Sequence, residues 1–92
     1  MTDQIEISLI GKPGCHLCED ARAAVDRVLF GFRASHPSVV VEVEELNILD
    51  DPSLAARYRE EIPVLLIDDK VHNYWRIDES RLRAALDEKA AG

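Results

Sequence analysis

Two cysteines three positions apart are the residues of this sequence whose type and spacing most directly suggest chemistry. They lie in the stretch GKPGCHLCEDARAAV, residues 11–25, where an apolar run gives way to an amphipathic pattern. Cys15 and Cys18 could be redox partners, half of a metal site, or two residues of the hydrophobic core. Redox partners would act by thiol–disulfide exchange, in which a thiolate attacks a disulfide sulfur.

The position of the pair favours redox chemistry. Cys15 falls at or just before the first turn of a predicted helix, where unpaired backbone N–H groups and the helix dipole stabilise a thiolate. Lys12 could add to this effect and a protonated His16 could tune Cys15, although both could equally be solvated side chains. Cys18 lies about one turn further along nearly the same face, within reach of a disulfide. We therefore assign Cys15 as the nucleophile and Cys18 as the resolving thiol.

Metal binding and core packing are the alternatives for the cysteine pair. A closed zinc site needs four ligands, whereas the chain has two cysteines and three histidines. His36 and His72 also lie far from the pair in sequence. We therefore expect no bound metal in a single chain, while a site shared between two copies stays an alternative. Two buried structural cysteines are the other alternative.

Length, composition and charge predict one folded, soluble domain over residues 1–92. The chain is 47% hydrophobic and 32% charged, and its formal net charge of -7 would repel a phosphate backbone. We expect no nucleic-acid partner. No basic segment followed by a long apolar stretch opens the chain, and no run approaches membrane-spanning length. We therefore expect a cytoplasmic monomer with no membrane partner, in a compartment where a lone cysteine pair is more often catalytic or metal-binding than structural.

Hydrophobic periodicity predicts the element order β-α-β-α-β-β-α. The first strand ends at the cysteines, and the close strand–helix–strand connection predicts two parallel strands. Asp51 and Asp78 have the positions of helix N-caps. Residues 64–67 form an apolar run typical of a buried strand, and a turn at residues 68–70 leads into a strand over residues 71–77. That last strand would place Trp75 within the sheet.

Taken together, these features resemble a glutaredoxin of the thioredoxin-like superfamily, and most closely its small bacterial glutaredoxin-like members. The motif GKPGCHLC follows the first strand, DDP at residues 50–52 follows the second, and Ile62-Pro63-Val64 opens the third. This order covers nearly the whole chain. The resemblance implies an α/β, thioredoxin-like fold with a four-stranded mixed sheet and three flanking helices. It also implies a cis Ile62–Pro63 bond beside the exposed cysteine pair.

The resemblance further implies a glutaredoxin-like thiol-disulfide oxidoreductase, an electron-transfer protein with a redox-active disulfide. Its substrate would be a protein disulfide or a glutathione mixed disulfide, and its reductant glutathione or a thioredoxin-type reductase. No tightly bound cofactor is implied. Lys12, Ile62 and Pro63 would bind the substrate, with Ile62 offering backbone groups to an extended peptide or to glutathione.

The chain also departs from the pattern of dithiol glutaredoxins. It has His16-Leu17 where they usually carry Pro-Tyr, Ile62 where they carry Thr, and Trp75-Arg76-Ile77 where a Gly-Gly pair precedes an Asp. These departures leave glutathione binding open. A non-catalytic thioredoxin-like module, docking a protein through the surface of Trp75 and Pro63, is therefore the alternative function.

Overall fold

The computed structural model of the protein describes residues 4–91, so residues 1–3 and 92 of the predicted domain lie outside the described residues. The elements follow the predicted order, with a short 3-10 helix added before the second α-helix. No helix within this described part is both long enough and apolar enough to span a membrane. The elements are β1 Gln4–Gly11, α1 His16–Ser35, β2 Val40–Asn47, the 3-10 helix Ile48–Asp50, α2 Pro52–Tyr58, β3 Val64–Ile67, β4 Lys70–Tyr74 and α3 Glu79–Ala91.

The four strands form one mixed sheet in the order β2-β1-β3-β4. β1 runs parallel to β2 and antiparallel to β3, and β3 and β4 form an antiparallel hairpin. Gly11 lies opposite Asn47, Ile10 lies opposite Val64, and Val64 lies opposite Tyr74. This register brings the ends of β1, β2 and β4 and the start of β3 to the same end of the sheet.

Helices cover both faces of the sheet. Successive side chains of β1 point to opposite faces and therefore pack against different helices. Ile5, Ile7 and Leu9 contribute to a core cluster with α1 and α3, whereas Ile10 joins a second cluster with Tyr58 of α2. The buried residues of α1, which face the sheet, recur at helical spacing, as predicted. Its buried residues are Cys18, Ala21, Ala24, Val25, Val28, Leu29 and Phe32.

Both predicted N-caps are confirmed. The Asp51 side chain accepts a hydrogen bond from the backbone N–H of Ser53 at 2.9 Å, and Pro52 opens α2. The Asp78 side chain accepts from the backbone N–H of Arg81 at 3.0 Å, in the first turn of α3. Each carboxylate satisfies a donor that the helix itself leaves unpaired.

The last strand is shorter than the sequence pattern predicted. β4 ends at Tyr74, and Trp75 has a φ of +59°, a left-handed conformation that cannot continue a strand. The loop that follows is held by a hydrogen bond from the Asp78 N–H to the Asn73 side chain at 2.9 Å. Trp75 is 52% exposed, so its predicted placement within the sheet was wrong.

The predicted turn between β3 and β4 is present at Asp68, with φ +49°, and Asp69, with φ +67°, whereas Lys70, predicted to belong to the turn, already begins β4. Two successive residues at positive φ are typical of the tight hairpin turns that match strand twist. The Asp68 carboxylate accepts from the Glu6 N–H at 2.9 Å and lies 2.8 Å from the Lys89 ammonium. These contacts, the Lys89 bond foremost, hold the pKa of Asp68 below its usual value.

Replacing Asp68 with alanine is expected to lower the free energy of unfolding by about 1–2 kcal/mol, because the Glu6 and Lys89 contacts are lost. Asp68→Asn keeps the acceptor for Glu6 and tolerates positive φ, so its loss should be smaller. Since the pKa of Asp68 is depressed in the fold, its stabilisation is present above the unfolded pKa of about 3.9 and is lost as pH falls through the folded value. Urea unfolding at about pH 7 measures the loss of stability in each variant, and unfolding at about pH 3 measures how far the contribution of Asp68 disappears at low pH.

Asp69→Ala is the matched control for this prediction. It places alanine at the same positive φ, so it shares the backbone strain, but Asp69 makes none of the Asp68 contacts given above. Equal losses for Asp68→Ala and Asp69→Ala would contradict a specific contribution of the carboxylate contacts.

Candidate active site

Cys15 occupies the N-cap of α1, as the sequence predicted. A turn at residues 13–14 leads into it, and Gly14 has a φ of +72°, which glycine adopts without steric cost. The backbone of Cys15 is extended, and its Sγ accepts a hydrogen bond from the Cys18 N–H at 3.2 Å. Negative charge on this sulfur would meet an N–H donor and the positive end of the dipole of a 20-residue helix.

Cys18 is the less accessible thiol. It is 8% exposed, and both cysteines are free. Burial, together with the hydrogen bond to the Cys15 side chain, raises the pKa of Cys18 to about 11, while a backbone hydrogen bond from Lys12 opposes the rise. Gly11 approaches this thiol so closely that a Cβ there would lie 2.9 Å from the Cys18 Sγ. The pair therefore combines a partly exposed thiol with a buried one.

The Ile62–Pro63 bond is cis, as the resemblance implied. Pro63 is buried, and half-buried Ile62 packs against the cluster that includes Ile10 and Val64. The Pro63 carbonyl accepts from the Trp75 N–H at 2.8 Å. Because Ile10 pairs with Val64, this loop lies at the same end of the sheet as the turn that carries the cysteines.

Two cavities flank the first turns of α1. A cleft of about 370 Å³ lies on the β2 side and is lined by Lys12, Cys18 and Asn47, among others. A smaller cavity of about 120 Å³ lies on the side of the loop before α3, where Leu17 and Trp75 line it. The structure thus brings the residues expected to bind substrate to one end of the sheet, with Lys12 bordering the β2-side cleft and the Ile62–Pro63 loop beside β1 at the start of β3.

His16 points into solvent. Its side chain is 99% exposed, and its Nδ1 lies 4.0 Å from the Glu19 carboxylate. The tuning role of His16 toward Cys15 stays a prediction. Among residues 4–91, no three or more side chains of His, Cys, Asp or Glu are grouped so that they could hold a metal ion.

Two contacts at this end of the sheet were not foreseen from the sequence. One is the close approach of Gly11 to Cys18, for which the available signal was a glycine ending the strand before the cysteine motif. The other is the pairing of Trp75 with the segment Glu60–Pro63, which we call the proline loop. No local pattern reports it because the partners are more than ten residues apart.

Comparison with known families and proteins finds a family model described as "Glutaredoxin-like domain (DUF836)", which matches residues 6–87. An uncharacterised protein of Mycobacterium tuberculosis is 28% identical over 81 residues, which cover 88% of this chain and 81% of that protein. A protein of the same description from Mycobacterium bovis gives the same values.

Solved structures give the same result for the fold. A structural genomics target protein from X. campestris is 29% identical, with a TM-score of 0.68 over 89% of this chain and 96% of the other. A Nitrosomonas europaea protein is 28% identical, with a TM-score of 0.69 over 92% and 94% of the two chains. Chloroplastic thioredoxin z, at 15% identity and a TM-score of 0.72 over 98% and 81%, is similar in fold alone. The architecture is thioredoxin-like.

Proposed function

The chain belongs to the family of glutaredoxin-like domains, and from that premise we propose that it is a thiol-disulfide oxidoreductase in which Cys15 attacks and Cys18 resolves. One observation carries the proposal. The Cys15 sulfur sits at the N-cap of α1 with the Cys18 N–H 3.2 Å away, while the Cys18 thiol is buried one turn below. This asymmetry suits a first thiol that meets substrate and a second that acts within the protein.

In the first step, the Cys15 thiolate attacks one sulfur of a substrate disulfide. A bond forms between Cys15 and that sulfur, the substrate S–S bond breaks, and the other substrate sulfur leaves as a thiolate that takes a proton from water. The Cys18 N–H and the helix dipole stabilise the attacking charge without any rearrangement of the backbone.

In the second step, Cys18 loses its proton and attacks the Cys15 sulfur. An internal Cys15–Cys18 disulfide forms, and the second substrate sulfur leaves as a thiolate. The protein has then lost two electrons to the substrate. A reductant of the thiol class, glutathione or a thioredoxin-type reductase, returns two electrons and restores the dithiol; a reducing compartment such as the cytoplasm would supply it.

The substrate we favour is a disulfide carried by an extended polypeptide. The backbone of half-buried Ile62 lies beside the cis proline, where it can pair with a substrate strand, and exposed Lys12 offers positive charge on the β2 side. Where dithiol glutaredoxins carry a Gly-Gly pair, the loop after β4 of this chain carries the bulky side chain of Trp75. This side chain gives glutathione less room to approach the backbone of that loop. Glutathione remains a candidate reductant.

The test is mass spectrometry of the reduced protein after brief exposure to oxidised glutathione, for wild type, Cys18→Ser and Cys15→Ser. We expect an internal disulfide in wild type, a single glutathione adduct on Cys15 in Cys18→Ser, and no adduct in folded Cys15→Ser, because Cys18 is buried. Peptide mapping locates the adduct.

A folded wild-type protein with neither thiol reactive would overturn the oxidoreductase. The non-catalytic binding module would then take its place, supported by the 52% exposed Trp75 beside the proline loop. An adduct on Cys18 but not on Cys15 would reverse the two assigned roles.

A further inference from the structure

Trp75 adopts a backbone conformation that is unusual for a bulky residue. Its φ is +59°, in the left-handed region that costs a non-glycine residue about 1–2 kcal/mol. Such strain persists where surrounding contacts over-determine it, and it clusters at functional sites. The question is which contacts hold Trp75 in this conformation.

Two hydrogen bonds join Trp75 to the proline loop. Its backbone N–H donates to the Pro63 carbonyl at 2.8 Å, and its indole N–H donates to the Glu60 carbonyl at 3.2 Å. These two acceptors lie on either side of the cis Ile62–Pro63 bond. Trp75 therefore hydrogen-bonds to both ends of the proline loop, Glu60–Pro63.

Trp75 also lies near the first turn of α1. With Leu17, which follows Cys15 by two residues, it lines the smaller cavity of about 120 Å³. Tyr74 lies beside it, with ring centroids 5.9 Å apart. Trp75 therefore lies between the proline loop and the first turn of α1. A bound substrate must contact both of these elements.

We propose that Trp75 is a positioning residue, which holds the proline loop so that Ile62 presents its backbone to an extended polypeptide disulfide. This inference rests on the proposed oxidoreductase function. A polypeptide disulfide pairs with the loop, whereas a small disulfide without a peptide backbone needs only the cysteines. A change that makes the loop less rigid should therefore lower kcat/KM for the polypeptide disulfide more than for the small disulfide.

The test compares a peptide disulfide with bis(2-hydroxyethyl) disulfide in the full chain. Trp75→Phe keeps an aromatic ring but removes the indole N–H, and thus the bond to Glu60. We expect the ratio of kcat/KM for the peptide to kcat/KM for the small disulfide to fall about fivefold, about 1 kcal/mol, through a higher KM for the peptide. Trp75→Gly removes the indole while accepting positive φ, so it should show the same fall and should fold.

Tyr74→Phe is the matched control, because it alters the neighbouring ring without touching either bond to the loop, and its ratio should equal that of wild type. An unchanged ratio in folded Trp75→Phe and Trp75→Gly would overturn the inference alone, as would equal losses on both substrates. A wild-type protein inactive toward both disulfides would overturn the proposed function, and the inference with it.

Discussion

Replacing Cys15 with serine is expected to abolish disulfide reduction, with a loss of at least about a thousandfold in kcat/KM, or about 4 kcal/mol of transition-state stabilisation. A serine hydroxyl stays protonated near neutral pH and cannot form a mixed disulfide. The buried Cys18 cannot substitute for it, because this thiol is 8% exposed and its burial raises its pKa. The measurement is steady-state reduction of a peptide disulfide with a thiol reductant in excess.

Folding should not confound this result. Serine is a favoured N-cap residue, so Cys15→Ser can accept the same hydrogen bond from the backbone N–H of residue 18 and keep α1 intact. Cys18→Ser is the matched comparison. Its turnover should fall, and without added reductant it should accumulate the mixed disulfide on Cys15. Retention of even a tenth of wild-type activity in folded Cys15→Ser would contradict the assigned nucleophile.

The second step should depend steeply on pH. The thiolate fraction of a group with a pKa of about 11 rises about tenfold per pH unit until the pH approaches that value. Release of substrate from a mixed disulfide on Cys15 should therefore keep accelerating above about pH 9, where an ordinary thiol with a pKa of about 8.5 is already mostly ionised. Burial of Cys18, the first cause of the raised pKa, persists in the mixed disulfide, whereas the hydrogen bond and the charge of Cys15, which also raise the pKa, belong to the free dithiol.

A stopped-flow pH jump measures this step. Wild-type protein is loaded at about pH 5, where resolution by a thiol of raised pKa is slow, with an aromatic disulfide that releases a coloured thiolate when Cys18 attacks. Cys18→Ser carries the same adduct and gives the rate of hydrolysis and other losses. A release rate that levels off below about pH 9, where an ordinary thiol ionises, would contradict a buried resolving thiol.

The cysteine pair, the element order and the helix caps could be predicted because each depends on residues close together in sequence. A strand that ends before Cys15, followed by an amphipathic stripe, is enough to place that residue at a helix start. The carboxylates of Asp51 and Asp78 act within their own first turns. For the same reason the turn at residues 68–70 was recognised from its composition.

What the sequence by itself determined was therefore the chemistry available and its approximate place, two thiols at the start of a helix in a thioredoxin-like order of elements. Only the tertiary structure decided that Cys18 is buried, that Gly11 crowds it, and that Trp75 leaves the sheet to hold the proline loop. These features depend on contacts between segments far apart in the chain. The turn at residues 68–70 predicted a strand that continues through Trp75, but the two hydrogen bonds from Trp75 to the proline loop are made outside the strand ladder, and no local pattern encodes their partners.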